Sequence, residues 1–144
     1  AVLLHQRQNL TVITNDIAIS TELSKNDIHV ILLGGIVQKT TLSTLGPAAI
    51  DALNRFQVTS AFLGATAISA SFNVYTPTMD RAYFKRAAMQ IAQKSYVMAD
   101  SSKFNSYALN LFASLSDFAG VITDRTFSPD EQHRLDTRFI NILQ

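Results

Sequence analysis

Cysteine and tryptophan are both absent from the 144-residue sequence. The lack of cysteine excludes disulfide bonds, cysteine-ligated zinc sites and a thiol nucleophile, and it is compatible with a protein that works in a reducing cytoplasm. The three histidines do not take the place of cysteine as metal ligands, because His5, His29 and His133 lie far apart in the sequence. We therefore expect structural or exposed histidines, no metal and no other cofactor.

The sequence also lacks a large net charge, since 12 lysine and arginine residues nearly balance 11 acidic residues and leave a net charge of +1. DNA binding needs a dense basic patch, so any DNA contact of the intact protein is expected to come from another segment. No apolar run approaches the roughly 20 residues of a membrane span, so no membrane partner is expected. The chain starts at Ala1, and Ala1–Gln8 reads like the middle of a helix. We expect it to be a fragment that lacks an N-terminal part.

Short β-branched runs alternate with helix-like segments along the chain. Most of these runs are apolar at consecutive positions, which is typical of strands buried on both faces of a parallel sheet. The predicted fold is α/β, with a mainly parallel open sheet and flanking helices, and residues 1–144 are predicted to form a single domain. The predicted strands are Leu10–Thr14, Ile28–Leu33, Thr59–Leu63, Tyr96–Ala99, Gly120–Thr123 and Phe139–Leu143.

Capping residues and prolines mark the predicted helices, which span 16–25, 46–56 and 78–94, with a fourth that starts at Ser128. In the fourth, a serine cap precedes Pro129 at the first helical position and Glu131 three residues after the cap. All three prolines fall at predicted helix starts, and none falls within a predicted strand. Asn105–Leu115 is predicted to be extended, as an edge strand.

Small and polar residues follow each predicted strand, where the carboxyl ends of parallel strands usually bind ligands. Glycines let a ligand approach backbone N–H groups, and nearby helix N-termini favour anions. This rim suits a small anion, although each group also has a structural explanation as a turn, a helix cap or a solvated charge. The groups are Asn15-Asp16, Gly34-Gly35, Gly64-Ala65-Thr66, Asp100-Ser101-Ser102-Lys103 and Asp124-Arg125.

Eight motifs occur in an order that resembles the C-terminal sensor domain of DeoR-type repressors over essentially the whole chain. The Asp-Ser-Ser-Lys-Phe motif at 100–104 is the most specific of them. The motifs are Leu10-Thr11-Val12-Ile13-Thr14-Asn15, Val30-Ile31-Leu32-Leu33-Gly34-Gly35, Thr44-Leu45-Gly46-Pro47, Ala61-Phe62-Leu63-Gly64-Ala65, Tyr75-Thr76-Pro77, Phe84-Lys85-Arg86-Ala87, Ala99-Asp100-Ser101-Ser102-Lys103-Phe104 and Val121-Ile122-Thr123-Asp124.

The resemblance implies a fold shared with ribose-phosphate isomerase and CoA transferases, a winged helix-turn-helix elsewhere in the intact protein, and a homo-oligomer. It also implies a phosphorylated sugar as the effector. On this hypothesis Lys103 and backbone N–H groups bind anionic or hydroxyl oxygens of the effector. Asn15 and Asp100 form hydrogen bonds with the sugar hydroxyls, and Lys85 closes over the ligand. The remaining rim residues are Gly34, Gly35, Gly64, Ala65 and Thr66.

Two alternatives stay open beside a non-catalytic sensor. A sugar-phosphate isomerase or deaminase would need a base, for which Asp80 and Asp100 are the candidates. However, Thr66 stands where relatives usually carry aspartate, and Arg81 lies where they tend to have an acidic cluster. The other alternative is an assembly domain that has lost ligand binding. An apolar contact surface for assembly would come from Phe104, Tyr107, Leu109 and Phe112, unless these side chains pack into the core.

Overall fold

The computed structural model describes Leu4 and residues 9–143. Apart from Leu4, the helix predicted over Ala1–Gln8 lies outside the described residues, as does His5. The chain divides into two compact units, Ala1–Arg55 and Phe56–Gln144. Among the described residues, no helix is long and apolar enough to cross a membrane.

The first unit contains a parallel strand pair and an antiparallel hairpin. β1 pairs with β2 from Thr11↔His29 to Thr14↔Leu32, and α1 connects the two strands. The predicted cap of α1 is confirmed, because the Asp16 carboxylate accepts a hydrogen bond of 2.9 Å from the Ile19 N–H. The elements are β1 (Thr11–Thr14), α1 (Ile17–Leu23), β2 (His29–Leu32), β3 (Ile36–Gln38), β4 (Ser43–Leu45) and α2 (Pro47–Leu53).

The second unit is built on a four-stranded sheet in which every neighbouring pair is parallel, in the order β11-β10-β8-β5. Leu63, Val97 and Val121 lie side by side on adjacent strands and are all buried. On the opposite face Phe62 stacks on Tyr96 with ring centroids 5.3 Å apart. The strands are β5 (Val58–Gly64), β8 (Ala92–Met98), β10 (Gly120–Ile122) and β11 (Ile142–Leu143).

A smaller antiparallel sheet and two helices complete the second unit. Its three strands follow the order β6-β7-β9, so that β9 lies at an edge. A capping box begins α4 as predicted, because the Ser128 hydroxyl and the Glu131 carboxylate each accept a hydrogen bond from the other residue's backbone N–H. The elements are β6 (Ala67–Ile68), β7 (Asn73–Thr76), α3 (Met79–Gln90), β9 (Asn110–Ser114) and α4 (Pro129–Thr137).

The predicted fold class is confirmed, and the differences concern element boundaries and four short strands that were not predicted, β3, β4, β6 and β7. The helix expected to reach Lys94 ends at Gln90, and β8 begins at Ala92. Residues 92–94 pair with β5, through Val58↔Ala92 and Ser60↔Lys94, so sheet pairing takes precedence over the helical pattern. The last strand is confined to Ile142–Leu143, and the predicted edge strand is confirmed over Asn110–Ser114.

Candidate functional site

A cleft of about 380 Å³ lies in the second unit, where three adjacent parallel strands end. The last residues of β5, β8 and β10 are in register, through Gly64↔Met98 and Ile122↔Met98. The segments that follow these strands form the walls of the cleft, as expected for a ligand site in an open α/β sheet. The lining residues are Ala65, Met98, Ala99, Asp100, Lys103, Ile122, Thr123 and Asp124.

One wall of the cleft is the 3₁₀ turn Ser101–Lys103, which two carboxylates hold in place. Asp124 accepts a hydrogen bond of 2.7 Å from the Ser101 N–H, and Asp100 accepts one of 2.9 Å from the Ser102 N–H. The Ser102 hydroxyl also donates to Asp100, and the two bonds from Ser102 lower the pKa of the Asp100 carboxyl below its ordinary value. The N–H donors of Ser101 and Ser102 are therefore already used by the protein.

Arg125 connects this turn to α4. Its guanidinium carbon lies 4.9 Å from the centroid of the Phe104 ring and 5.3 Å from that of Phe127, and the two rings meet edge to face. Its Nη2 donates over 2.6 Å to the Glu131 carboxylate. Cation–π contacts and an ion pair thus fix the end of the turn against the first turn of α4.

Lys85 lies on α3 and contacts the end of β5. Its Nζ donates over 2.6 Å to the Gly64 carbonyl and lies 5.3 Å from the centroid of the Phe112 ring. Burial of the ammonium and the nearby positive charge of Arg81 lower the pKa of Lys85 from 10.5 to about 8. An ammonium has three donors, and among the described residues the one hydrogen bond that Lys85 makes is to Gly64.

Two of the three predicted site residues of the first unit, Asn15 and Gly35, have structural roles. The Asn15 side chain donates over 2.8 Å to the Thr44 carbonyl. Gly35 has φ of +152°, and a Cβ on it would lie 2.6 Å from the Leu45 carbonyl oxygen. A Cβ on Gly34, in contrast, would meet nothing within 4 Å. Of these two glycines, Gly34 is therefore the one that leaves its backbone open to a ligand, as the predicted anion site requires.

The cleft brings together three of the predicted site residues, Ala65, Asp100 and Lys103. Gly64 and Thr66 are exposed neighbours of Ala65 outside the lining, and Lys85 contacts Gly64. The sequence analysis placed Asp124 directly after the fifth predicted strand but did not include it among the ligand-binding residues. Its position at the end of a strand was the signal that could have identified it. The other lining residues that the sequence analysis missed are Met98, Ala99, Ile122 and Thr123.

Comparison with protein-family models identifies the chain. The model of the DeoR C terminal sensor domain matches residues 1–125, which include both compact units up to the segment after β10. The chain belongs to the DeoR sensor-domain family. The resemblance of the eight motifs is thus confirmed, and the cleft lies within the region that the DeoR sensor model covers.

Curated relatives of this DeoR sensor domain are transcriptional regulators. The HTH-type regulator FruR of Bacillus subtilis is 30% identical over 121 residues, which cover 84% of this chain and 48% of FruR. GlpR of Haloferax volcanii is 29% identical over 91% of this chain and 51% of its own length. The repressor AccR of Agrobacterium fabrum is 30% identical over 95% of this chain and 55% of its own length. The chain spans about half the length of the curated relatives it matches.

Proposed function

We propose that this chain is the effector-binding domain of a transcriptional regulator of sugar metabolism, and that it binds a small phosphorylated sugar without chemical turnover. The observation that carries this proposal is the cleft at the carboxyl ends of β5, β8 and β10 in a member of a sensor family. Lys103, Asp100 and Ala65 line the cleft and supply a cationic donor, a carboxylate acceptor and a small residue. A few polar groups of this kind fix the orientation of a ligand in a small-molecule site.

Lys85 is the residue that we assign to the anionic end of the effector. Its Nζ contacts Gly64, which directly precedes the cleft residue Ala65. Arg81 lies one helical turn before it on α3, and its charge acts on Lys85. Two cations on one helix face favour a phosphate, because charge-assisted hydrogen bonds to phosphate oxygens are the strong ones.

The available carboxylates favour binding over catalysis. A general base that removes a proton from carbon at neutral pH works best with a pKa near 7. Asp100 has the opposite shift, since the bonds from Ser102 lower its pKa. Asp80 lies in the first turn of α3 and is not among the cleft residues.

Titration with hexose and pentose phosphates tests this function. We expect binding that raises the melting temperature, because a ligand of the native state stabilises it. Lys103→Ala is expected to weaken that binding by about tenfold, the effect of losing one charged hydrogen bond. If Lys103→Ala binds sugar phosphates as tightly as the parent protein does, the cleft is not the effector site.

The intact regulator is proposed to bind DNA through a helix-turn-helix segment outside this chain and to act in the cytoplasm, where its DNA target lies. Two of the relatives described above carry the designation HTH-type, and the chain covers only about half of each. The chain itself carries a net charge of only +1. That residues 1–144 act as one sensor domain stays a prediction, supported by the family match across both units.

A homo-oligomer is the assembly that we propose, through exposed apolar side chains on α3, on β9 and on the segment just before β9. Of the four side chains considered for such a surface, Phe104 and Phe112 are buried in the core, whereas Tyr107 and Leu109 are exposed, Leu109 by 87%. β9 lies beside α3, because Arg86 donates to the carbonyls of Leu111 and Phe112. The α3–β9 patch comprises Met79, Tyr83, Tyr107, Leu109 and Leu111, each at least 46% exposed. Apolar side chains exposed on neighbouring elements favour an interaction site.

Leu109→Glu is expected to weaken self-association by about tenfold or more, because it places a charge in an apolar contact. Sedimentation velocity over a concentration series measures the effect. Phe139→Glu is the control, since Phe139 is 93% exposed but lies outside the patch. Equal association of both variants and the parent protein would exclude the patch as the interface.

A further inference from the structure

The charges in the cleft do not suit a phosphate. Its side chains include two carboxylates, Asp100 and Asp124, and one ammonium, Lys103, which leaves a net charge of −1. The Lys103 ammonium is itself 4.0 Å from the Asp100 carboxylate. A phosphate monoester carries a charge of about −1.5 to −2 at neutral pH and would be repelled by this lining.

The hydrogen-bonding groups of the cleft lead to the same conclusion. A phosphate binds through its acceptor oxygens and needs N–H donors, but the N–H groups of Ser101 and Ser102 already donate to Asp124 and Asp100. In both carboxylates the bond to the turn uses Oδ1. Among the described residues, Oδ2 of Asp124 accepts no hydrogen bond, and Oδ2 of Asp100 has only the distant Lys103 ammonium. The cleft thus presents two carboxylate oxygens, Oδ2 of Asp100 and Oδ2 of Asp124, that can accept hydrogen bonds from a ligand.

Sugar hydroxyls satisfy these two acceptors. A hydroxyl is a donor without charge, so it pairs with a carboxylate and is not repelled by it. Apolar surface from Met98 and Ile122 lies beside the carboxylates and can contact the carbon face of a sugar ring. The volume of about 380 Å³ is at the small end of the range for small-molecule sites.

We propose that the cleft holds the uncharged, hydroxyl-bearing part of the effector and excludes its phosphate, with Asp124 as a specificity-determining residue. This inference rests on the proposed function and gives the effector an orientation. The hydroxyls enter between Asp100 and Asp124, and the anionic end points toward Gly64 and Lys85. Which sugar binds then depends on which hydroxyls reach the two carboxylates.

Asp124→Asn tests the proposal with little change in shape, because the asparagine oxygen can still accept the Ser101 N–H. The outer oxygen becomes an NH₂ donor, so the variant no longer accepts a sugar hydroxyl there. We expect its Kd for a hexose or pentose phosphate to rise by about tenfold or more, as for the loss of a hydrogen bond to a charged group. Its Kd for inorganic phosphate is expected to stay unchanged or to fall.

Asp117→Asn is the matched control. The Asp117 carboxylate also accepts a backbone N–H bond of 2.7 Å, from Ser114, but it lies outside the cleft. It should leave both Kd values unchanged. Asp100→Asn serves as a second cleft variant, with the same direction of effect expected, should Asp124→Asn lower the melting temperature.

Titration calorimetry of the purified protein with sugar phosphates, the free sugars and inorganic phosphate separates the outcomes. If sugar phosphates bind and neither cleft variant changes their affinity, the proposed function stands and this inference is wrong. If free sugars bind, sugar phosphates do not, and Asp124→Asn abolishes free-sugar binding, the inference stands and the phosphorylated effector is wrong. If no sugar binds in either form, both are overturned.

Discussion

Replacing Gly35 by alanine is expected to lower the free energy of unfolding by about 2–4 kcal/mol, from backbone strain at positive φ and overpacking together. The alanine Cβ would lie 2.6 Å from the Leu45 carbonyl oxygen and 3.3 Å from the Ala49 Cβ. The closest contact is a backbone atom, which cannot rotate away as the end of a flexible side chain can. Urea denaturation of the parent protein and the variant measures the difference.

Gly34→Ala provides a control one residue away. Its Cβ would enter open space, and the residue is not among those with positive φ. We expect a change in the free energy of unfolding of within about 0.5 kcal/mol of zero, or a slight gain because alanine restricts the unfolded chain. Equal losses in the two variants would show that the geometry at Leu45 does not set the requirement for glycine.

Raising the pH from 7 to 9 is expected to weaken sugar-phosphate binding by about tenfold, because Lys85 loses the charge that attracts the phosphate. The pKa of Lys85 is about 8 in the folded protein. Below that pH the ammonium is charged and the full attraction is present, and it is lost as the pH rises through 8. The second ionisation of the phosphate, with a pKa of about 6, is already about nine-tenths complete at pH 7, so the charge of the phosphate changes little across this interval.

Two substitutions at Lys85 separate its charge from its other contacts. Lys85→Arg keeps a positive charge at every pH in the interval and should remove the pH dependence. Lys85→Met should bind about 10- to 100-fold more weakly at pH 7, the cost of one lost charged hydrogen bond, and also without pH dependence. Lys94→Met, at an exposed position of β8, should match the parent protein. If binding by Lys85→Met still weakens between pH 7 and 9, a group other than Lys85 causes the pH dependence.

The local signals in the sequence predicted the parts of the fold that depend on neighbouring residues. Ser128, Pro129 and Glu131 define the start of α4 within four positions, and the structure forms the expected capping box. The runs near 59–63 and 120–123 are apolar enough to identify two strands of the parallel sheet. Periodicity and capping are sufficient at such places because the deciding contacts lie within a few residues.

Contacts between distant residues account for what was missed. The end of α3 at Gln90 depends on the pairing of 92–94 with β5, which no local pattern encodes. The hydrogen bond from Ser101 to Asp124 spans 23 residues and makes Asp124 part of the cleft. Gly35 was predicted to be a ligand-binding glycine, but the nearby Leu45 carbonyl explains why glycine is required at this position. Each of these facts requires the register of two segments, which a single sequence does not provide.

The contact of Arg125 with the Phe104 and Phe127 rings has a consequence for the entropy of binding. Together with the two carboxylates it orders residues 100–104 during folding, before any ligand arrives. A ligand that enters the cleft therefore does not have to immobilise this wall, and less conformational entropy is lost in the binding step. If the contact of Arg125 with these rings were weakened, that entropic cost would move from folding to binding. The affinity for the ligand would then fall, although every residue that touches the ligand remained the same.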